Sequence, residues 1–195
     1  MLRTLLQDHN VILASGSPRR QEFLRNLDID FEIRLKEVEE IYPDHLQGAA
    51  ITDFLAVLKA DAFEGKLTET DILITSDTIV WHNNTALGKP KDTEDAFRIL
   101  QSLSGTTHEV ISSVCLRSAS RSVVFHEITK VSFAPLPEDS IRYYIDNYKP
   151  FDKAGAYGIQ EWIGLTGITK IEGSYTNVVG LPVQRVYEEL LKFIK

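Results

Sequence analysis

Residues 72–80 read Ile72-Leu73-Ile74-Thr75-Ser76-Asp77-Thr78-Ile79-Val80. The apolar run predicts a strand over 71–75, and 79–82 continues along the same path. Working outward, residues 11–14 form a second apolar stretch of strand character. It runs through the turn Ser15-Gly16-Ser17-Pro18 into a helix over 19–27, with Phe23, Leu24 and Leu27 on one side. A further strand is expected at 30–34 and a helix at 51–64. Downstream, Asn83-Asn84 suits a hairpin turn because asparagine tolerates positive φ. Residues 93–103 are the clearest helix: Asp92 or Thr93 can cap it, Glu94 and Asp95 complement its dipole, and Gly105 follows its end. Two strands, 108–117 and 123–133, are joined by the polar turn at 118–122 and read as an antiparallel hairpin. Residues 138–147 form a helix, the glycine-rich stretch 149–180 holds short strands at most, and 183–194 is a closing helix. Crossover helices combined with one long hairpin give an α/β class with a mixed sheet. Strand order is not readable from this pattern.

The composition sets the class. The chain has 195 residues, 43% hydrophobic and 25% charged, and carries a net charge of −7. That suits one globular domain spanning 1–195. No apolar run approaches the ~18 residues of a membrane helix, and the N-terminal stretch is too polar at residues 7–10 for a secretory signal. A cytoplasmic protein without membrane attachment is the expectation. Cys115 is the single cysteine, in an apolar run, and reads as a buried small hydrophobe. The acidic balance argues against a nucleic-acid partner. A small anionic ligand would need local cations.

Four segments carry candidate chemistry. Asp77 interrupts an apolar strand, where a buried carboxylate is costly unless paired or metal-bound. It could hold a divalent ion, take a proton from water, or both; a structural carboxylate bound by backbone N–H groups is the alternative. In 15–20, Ser17 can cap a helix with Pro18 at its first position. Arg19 and Arg20 then sit at the positive end of the helix dipole, a misfit that a bound polyphosphate would reverse and that solvation would also tolerate. Lys89, beside Pro90 and just before a helix, can reach a phosphate as a point charge; a solvated loop lysine is the alternative. Gln160 closes a glycine-flanked segment and can read the edge of a nucleobase through paired hydrogen bonds; a tight β-turn with a packed tyrosine is the alternative. The polar loop 172–177 is uninformative by pattern. The five histidines show no H-E-x-x-H spacing, and the P-loop, the G-x-S-x-G elbow and the G-x-G-x-x-G fingerprint are all absent.

The segments SGSPRR (15–20), SDTIV (76–80), GKP (88–90), LSGTTHEV (103–110), DKAGAYGIQ (152–160) and GSYTNVVGLP (173–182), in this order, resemble the Maf family of nucleotide pyrophosphatases. The resemblance implies an elongated α/β fold like that of the inosine triphosphate pyrophosphatases, with a mixed sheet, flanking helices and a cleft between two lobes. It also implies a homodimer, a divalent cation (magnesium or manganese), and attack of water on the α-phosphorus with pyrophosphate leaving. By position, Asp77 matches the proton acceptor. Arg19, Thr78 and Gln160 match the positions that separate subfamilies, and the residues found here fit the branch acting on dTTP and UTP, with modified pyrimidine nucleotides as further candidates. Ser15, Arg20, Lys59 and Lys89 match positions near the phosphates. Glu40 matches an acidic position that, with Asp77, would hold the metal. Arg19, Arg20, Lys89 and the metal would form an electrostatic clamp on the triphosphate. Two departures stand out: Ala56-Val57-Leu58 precedes Lys59 where the family often has charged residues, and Glu161-Trp162 follows Gln160 where many members have glycine. The competing expectation is a non-catalytic nucleotide-binding regulator of cell division.

Overall fold

The computed structural model describes residues 2–195. The strands are β1 (Asn10–Leu13), β2 (Glu32–Ile33), β3 (Asp71–His82), β4 (Thr85–Leu87), β5 (Thr107–Arg117), β6 (Ser122–Phe133) and β7 (Ile168–Glu172). They form one seven-stranded sheet in the order β2-β1-β3-β5-β6-β7, with β4 attached to β3. β1 runs parallel to both β2 and β3, while β4 pairs antiparallel with β3 and β7 antiparallel with β6. The sheet is therefore mixed, as the sequence predicts. The link between β5 and β6 is too short for a crossover, so those strands make the expected hairpin. Its turn is closed by the Ser118 N–H donating to the Arg121 carbonyl at 2.8 Å.

The helices are α1 (Leu2–Leu5), α2 (Pro18–Asn26), α3 (Ala49–Asp61), α4 (Thr93–Leu103), α5 (Glu138–Tyr148), α6 (Trp162–Gly167), α7 (Tyr175–Val179) and α8 (Val183–Phe193). No helix among the described residues is long and apolar enough to cross a membrane.

The chain divides into two compact units. The first holds residues up to Asp77 together with Ser112–Glu127 and Gly180–Lys195; the second holds Thr78–Ile111 and Ile128–Val179. In the first unit the two-residue period of the strands sorts side chains cleanly. Val11, Leu13, Ile72, Ile74, Val114 and Leu116 pack with Leu24 of α2 and with Val186, Leu190 and Phe193 of α8. The alternate positions Ile12, Leu73 and Cys115 pack with Ala56 and Ala60 of α3 and with Phe63. These strands are covered on both faces, which explains why their sequences are apolar without alternation.

The second unit is built on α4 and α5. Ala96, Phe97, Leu100 and Leu103 form the buried stripe of α4. They join Val80, Val110, Val131, Phe133, Ile141, Tyr144 and Tyr157 in one core. Asp92 caps α4, its side chain accepting from the Asp95 N–H at 2.8 Å.

The stretch 149–180 departs from expectation. It contains a 3-10 turn at Ala154–Ala156, the short helices α6 and α7, and a single strand, β7. These helices are too short to show a hydrophobic period, and glycines at 164 and 167 disfavour helix locally. Tertiary packing makes them: Ile163 and Asn177 are buried. The Asn177 amide donates to the Val110 carbonyl at 3.0 Å and to Thr129 Oγ1 at 2.9 Å. Strand β4 completes the hairpin that the Asn83-Asn84 turn leads the sequence reading to expect. It forms because Asn83 and Asn84 both adopt positive φ, 48° and 58°, and fold the chain back on β3.

Candidate active site

In the first unit, α3 is fastened to the sheet by buried hydroxyls. Thr75 Oγ1 donates to the Ala56 carbonyl at 2.6 Å, and Ser113 Oγ to Thr52 Oγ1 at 2.6 Å. The small side chain of Ala56 permits that approach, so the apolar segment before Lys59 has a packing role. Lys59 lies three residues on from Ala56, and Asp77 two residues on from Thr75 on the same strand face. The two meet: Lys59 Nζ donates to Asp77 Oδ1 at 2.7 Å. The same ammonium lies 2.9 Å from Glu40 Oε1. Asp77 is 6% exposed, whereas the Glu40 side chain is about half exposed. Lys59 thus bridges a buried carboxylate and an accessible one.

Arg20 occupies the first turn of α2. Ser17 caps that helix by accepting from the Arg20 N–H, with Pro18 at the first position. The guanidinium then leaves the helix axis. Its Nε donates to the Gly180 carbonyl at 2.9 Å, and Nη1 donates to the Ser76 carbonyl at 2.8 Å and to Ser15 Oγ at 3.4 Å. These acceptors come from three chain segments. Burial pulls the Arg20 pKa down, Asp77 opposes that shift, neighbouring Arg19 adds to it, and Glu40 opposes it more weakly. Ser15 is buried, and its Oγ also accepts from the Ser17 N–H at 3.3 Å. Arg19 sits half-buried beside Arg20 on α2. Ser76 Oγ is buried with no hydrogen-bond partner among the described residues.

Ser15, Arg19, Arg20, Glu40, Lys59 and Asp77 therefore belong to one unit, with the carboxylates and Arg20 close enough to act on one another electrostatically. Thr78, Lys89 and Gln160 belong to the second unit. Thr78 follows Asp77 along β3 and is half-buried. Lys89 is exposed in the loop after β4, next to Gly88, whose carbonyl accepts from the Gly155 N–H at 3.1 Å. Gln160 is exposed in a turn between the buried Ile159 and Glu161.

Sequence reading missed the polar contacts inside the second unit. Tyr157 OH lies 2.7 Å from His108 Nε2, both residues buried against Phe133. Tyr144, Lys153 and Glu161 form another linked group. Neither has a local spacing signature, since the partners come from distant segments. Cys115 is fully buried, and burial raises its thiol pKa, consistent with a packing role.

Two neighbouring carboxylates sharing one cation, one of them accessible, make an oxygen donor set of the kind magnesium and manganese take alongside substrate phosphates. A divalent ion held by both Glu40 and Asp77 would compete with the Lys59 ammonium that bridges them. No group of three or more His, Cys, Asp or Glu side chains that could hold one without substrate is gathered among the described residues.

A family model described as Maf-like protein matches residues 10–193. A dTTP/UTP pyrophosphatase of Flavobacterium johnsoniae is 61% identical over 194 residues, covering 100% of both chains. One of Flavobacterium psychrophilum is 62% identical over 191 residues, 98% of each. Among solved structures, the Ham1 protein of Staphylococcus aureus aligns over 64% of this chain and 72% of its own, with 15% identity and a TM-score of 0.47.

Proposed function

The chain belongs to the Maf-like family, and from that membership we propose that it is a nucleoside triphosphate pyrophosphatase that converts dTTP and UTP to the monophosphate and pyrophosphate. Its full-length identity of about three residues in five with dTTP/UTP pyrophosphatases carries this reading. The arrangement around Asp77 supports it chemically.

In the reaction, a water oxygen forms a bond to the α-phosphorus, and the bond from that phosphorus to the bridging oxygen breaks. Pyrophosphate leaves, and the water proton passes to the Asp77 carboxylate. Lys59 holds that carboxylate in one orientation through the 2.7 Å contact. Arg20, anchored on the Ser76 and Gly180 carbonyls, keeps fixed positive charge beside Asp77. Ser15, Arg19 and Lys89 take phosphate-facing roles. Glu40 and Asp77 are the residues that would hold a magnesium or manganese ion, which supplies positive charge against the triphosphate and acidifies water. Thr78 and Gln160 set the preference for uracil and thymine bases, including modified ones. On the same family grounds the enzyme works in the cytoplasm as a homodimer.

The test is pyrophosphate release from dTTP, UTP, CTP, GTP and 7-methyl-GTP with manganese. Release from dTTP and UTP above the others is expected, together with a fall in kcat of at least ~100-fold in Asp77→Asn. No release from any nucleotide, or full activity in Asp77→Asn, overturns the reading.

A further inference from the structure

Gln160 sits on a turn whose ends are held from one side by a part-buried polar network. The turn spans Gly158 to Glu161 and is closed by the Glu161 N–H donating to the Gly158 carbonyl at 3.0 Å. Ile159 points into the core at 5% exposure, while Gln160 is presented outward. A second chain of hydrogen bonds connects the same two ends. The Gly158 N–H donates to Tyr144 OH at 3.0 Å, and Tyr144 OH donates to Glu161 Oε2. The other carboxylate oxygen, Oε1, lies 3.1 Å from Lys153 Nζ, whose side chain is 9% exposed. Lys153 also holds Asp152 Oδ1 at 2.7 Å. The carboxylate lies so close over Gly158 that a Cβ there would meet its carbon at 2.8 Å. Burial and the Glu161 charge push the Tyr144 phenol pKa up, so it stays a neutral donor.

We propose that Glu161, through Tyr144 and Lys153, is a positioning residue for base recognition: it locks the turn so that the Gln160 amide meets the edge of uracil or thymine in one geometry. This rests on the reading of Gln160 given above. Uracil and thymine present a carbonyl and a ring N–H side by side, whereas cytosine presents an amino group and a bare ring nitrogen. A glutamine amide that pairs donor to carbonyl and acceptor to N–H makes two bonds at once, and both need the side chain to start from one fixed backbone position. The Glu161 carboxylate, its side chain 20% exposed, is held by both oxygens, one toward Tyr144 and one toward Lys153, which fixes its own geometry.

The experiment measures kcat and KM for UTP and CTP in the full chain carrying Glu161→Gln, Gln160→Ala and the two together, with thermal melts to confirm folding. Glu161→Gln is expected to lower the UTP-over-CTP ratio of kcat/KM about tenfold, the loss of one hydrogen bond to the base, through KM with kcat held. In the Gln160→Ala background the same change should leave the ratio unmoved, because a lock with nothing to aim has no effect on discrimination. Tyr144→Phe, which keeps the ring and removes the hydroxyl, should shift the ratio in the same direction and serves if Glu161→Gln fails to fold. An equal loss for UTP and CTP, or an undiminished effect in the Gln160→Ala background, overturns the proposal and leaves the pyrophosphatase reading intact. If Gln160→Ala alone keeps the wild-type ratio, the Gln160 reading falls and the lock with it. Absence of pyrophosphate release from wild type is the separate failure of the activity itself.

Discussion

Lys59 Nζ lies 2.7 Å from Asp77 Oδ1 and 2.9 Å from Glu40 Oε1, so a single ammonium separates two carboxylates, one of them buried. Removing it leaves Asp77 in a low-dielectric site with Glu40 as a like-charged neighbour. Lys59→Met should destabilise the protein by ~2–3 kcal/mol, below the cost of a fully buried pair because Glu40 reaches solvent. Adding Asp77→Asn to that variant should recover most of the loss. Urea unfolding of the two single variants and the double variant measures it; strict additivity would mean the pair carries no net interaction.

Arg20 gives a second prediction, based on geometry rather than charge. Its guanidinium reaches the carbonyls of Ser76 and Gly180 simultaneously, from different nitrogens. A lysine keeps the charge but cannot span both acceptors. Arg20→Lys should cost about 1–2 kcal/mol of stability, since a buried carbonyl loses its donor. It should also lower kcat/KM for dTTP, as the chain segments beside Asp77 lose their common tie. A melt and a kinetic trace on the same preparation check both effects. A lysine variant equal to wild type in both would show that charge alone suffices.

The legible and illegible parts of the chain differ for a physical reason. Strands such as 72–75 and helix α4 announce themselves because each is long enough for burial to impose a period on its own residues. Helices α6 and α7 do not, because the groups that hold them, Val110 and Thr129 for Asn177, lie tens of residues away in the chain. The site divides in the same way. Asp77 is visible as a carboxylate in an apolar strand, and the Ser17–Pro18 cap as local chemistry. The Arg20 misfit at a helix start is resolved by two distant carbonyls, and Lys59 finds Asp77 only because Ala56 lets α3 approach β3 closely. Local patterns identify which residues are anomalous, and the fold supplies their partners.

His108 predicts a pH dependence. Burial lowers its pKa from 6.5 to about 4, with a smaller contribution from His82, and its Nε2 pairs with Tyr157 OH. The unfolded chain therefore binds the proton that the folded protein refuses. Between those two values stability falls as pH falls; it is fully present above about 6.5 and is reduced by about 3 kcal/mol once pH drops below about 4. His108→Gln keeps an acceptor for the tyrosine hydroxyl and removes the titrating ring. Unfolding free energies across pH 4–7 should be flatter in that variant than in wild type, and parallel curves would show that other groups set the slope.

Gly155 has no room for a side chain because Val80 packs against it. Its φ is +69°, and a Cβ built there would lie 2.5 Å from Val80 Cγ2 and 3.0 Å from Val80 Cβ. Gly155→Ala meets both obstacles at once, a left-handed conformation and a collision with a buried branched residue, and should destabilise by about 2 kcal/mol or more. The two costs can be separated. Val80→Ala removes the two methyls but keeps the Cβ 3.0 Å away, so in that background Gly155→Ala should cost less, about 1 kcal/mol for the conformation plus a residual close contact. The cycle also bears on the loop after β4, because the Gly155 N–H is the donor to the Gly88 carbonyl beside Lys89. Displacing residue 155 should therefore weaken that loop's anchor and raise KM for dTTP more than Val80→Ala does alone. Urea unfolding and dTTP kinetics on the four proteins of the cycle measure both, and an unchanged KM in Gly155→Ala would separate the Gly88 contact from the role of Lys89.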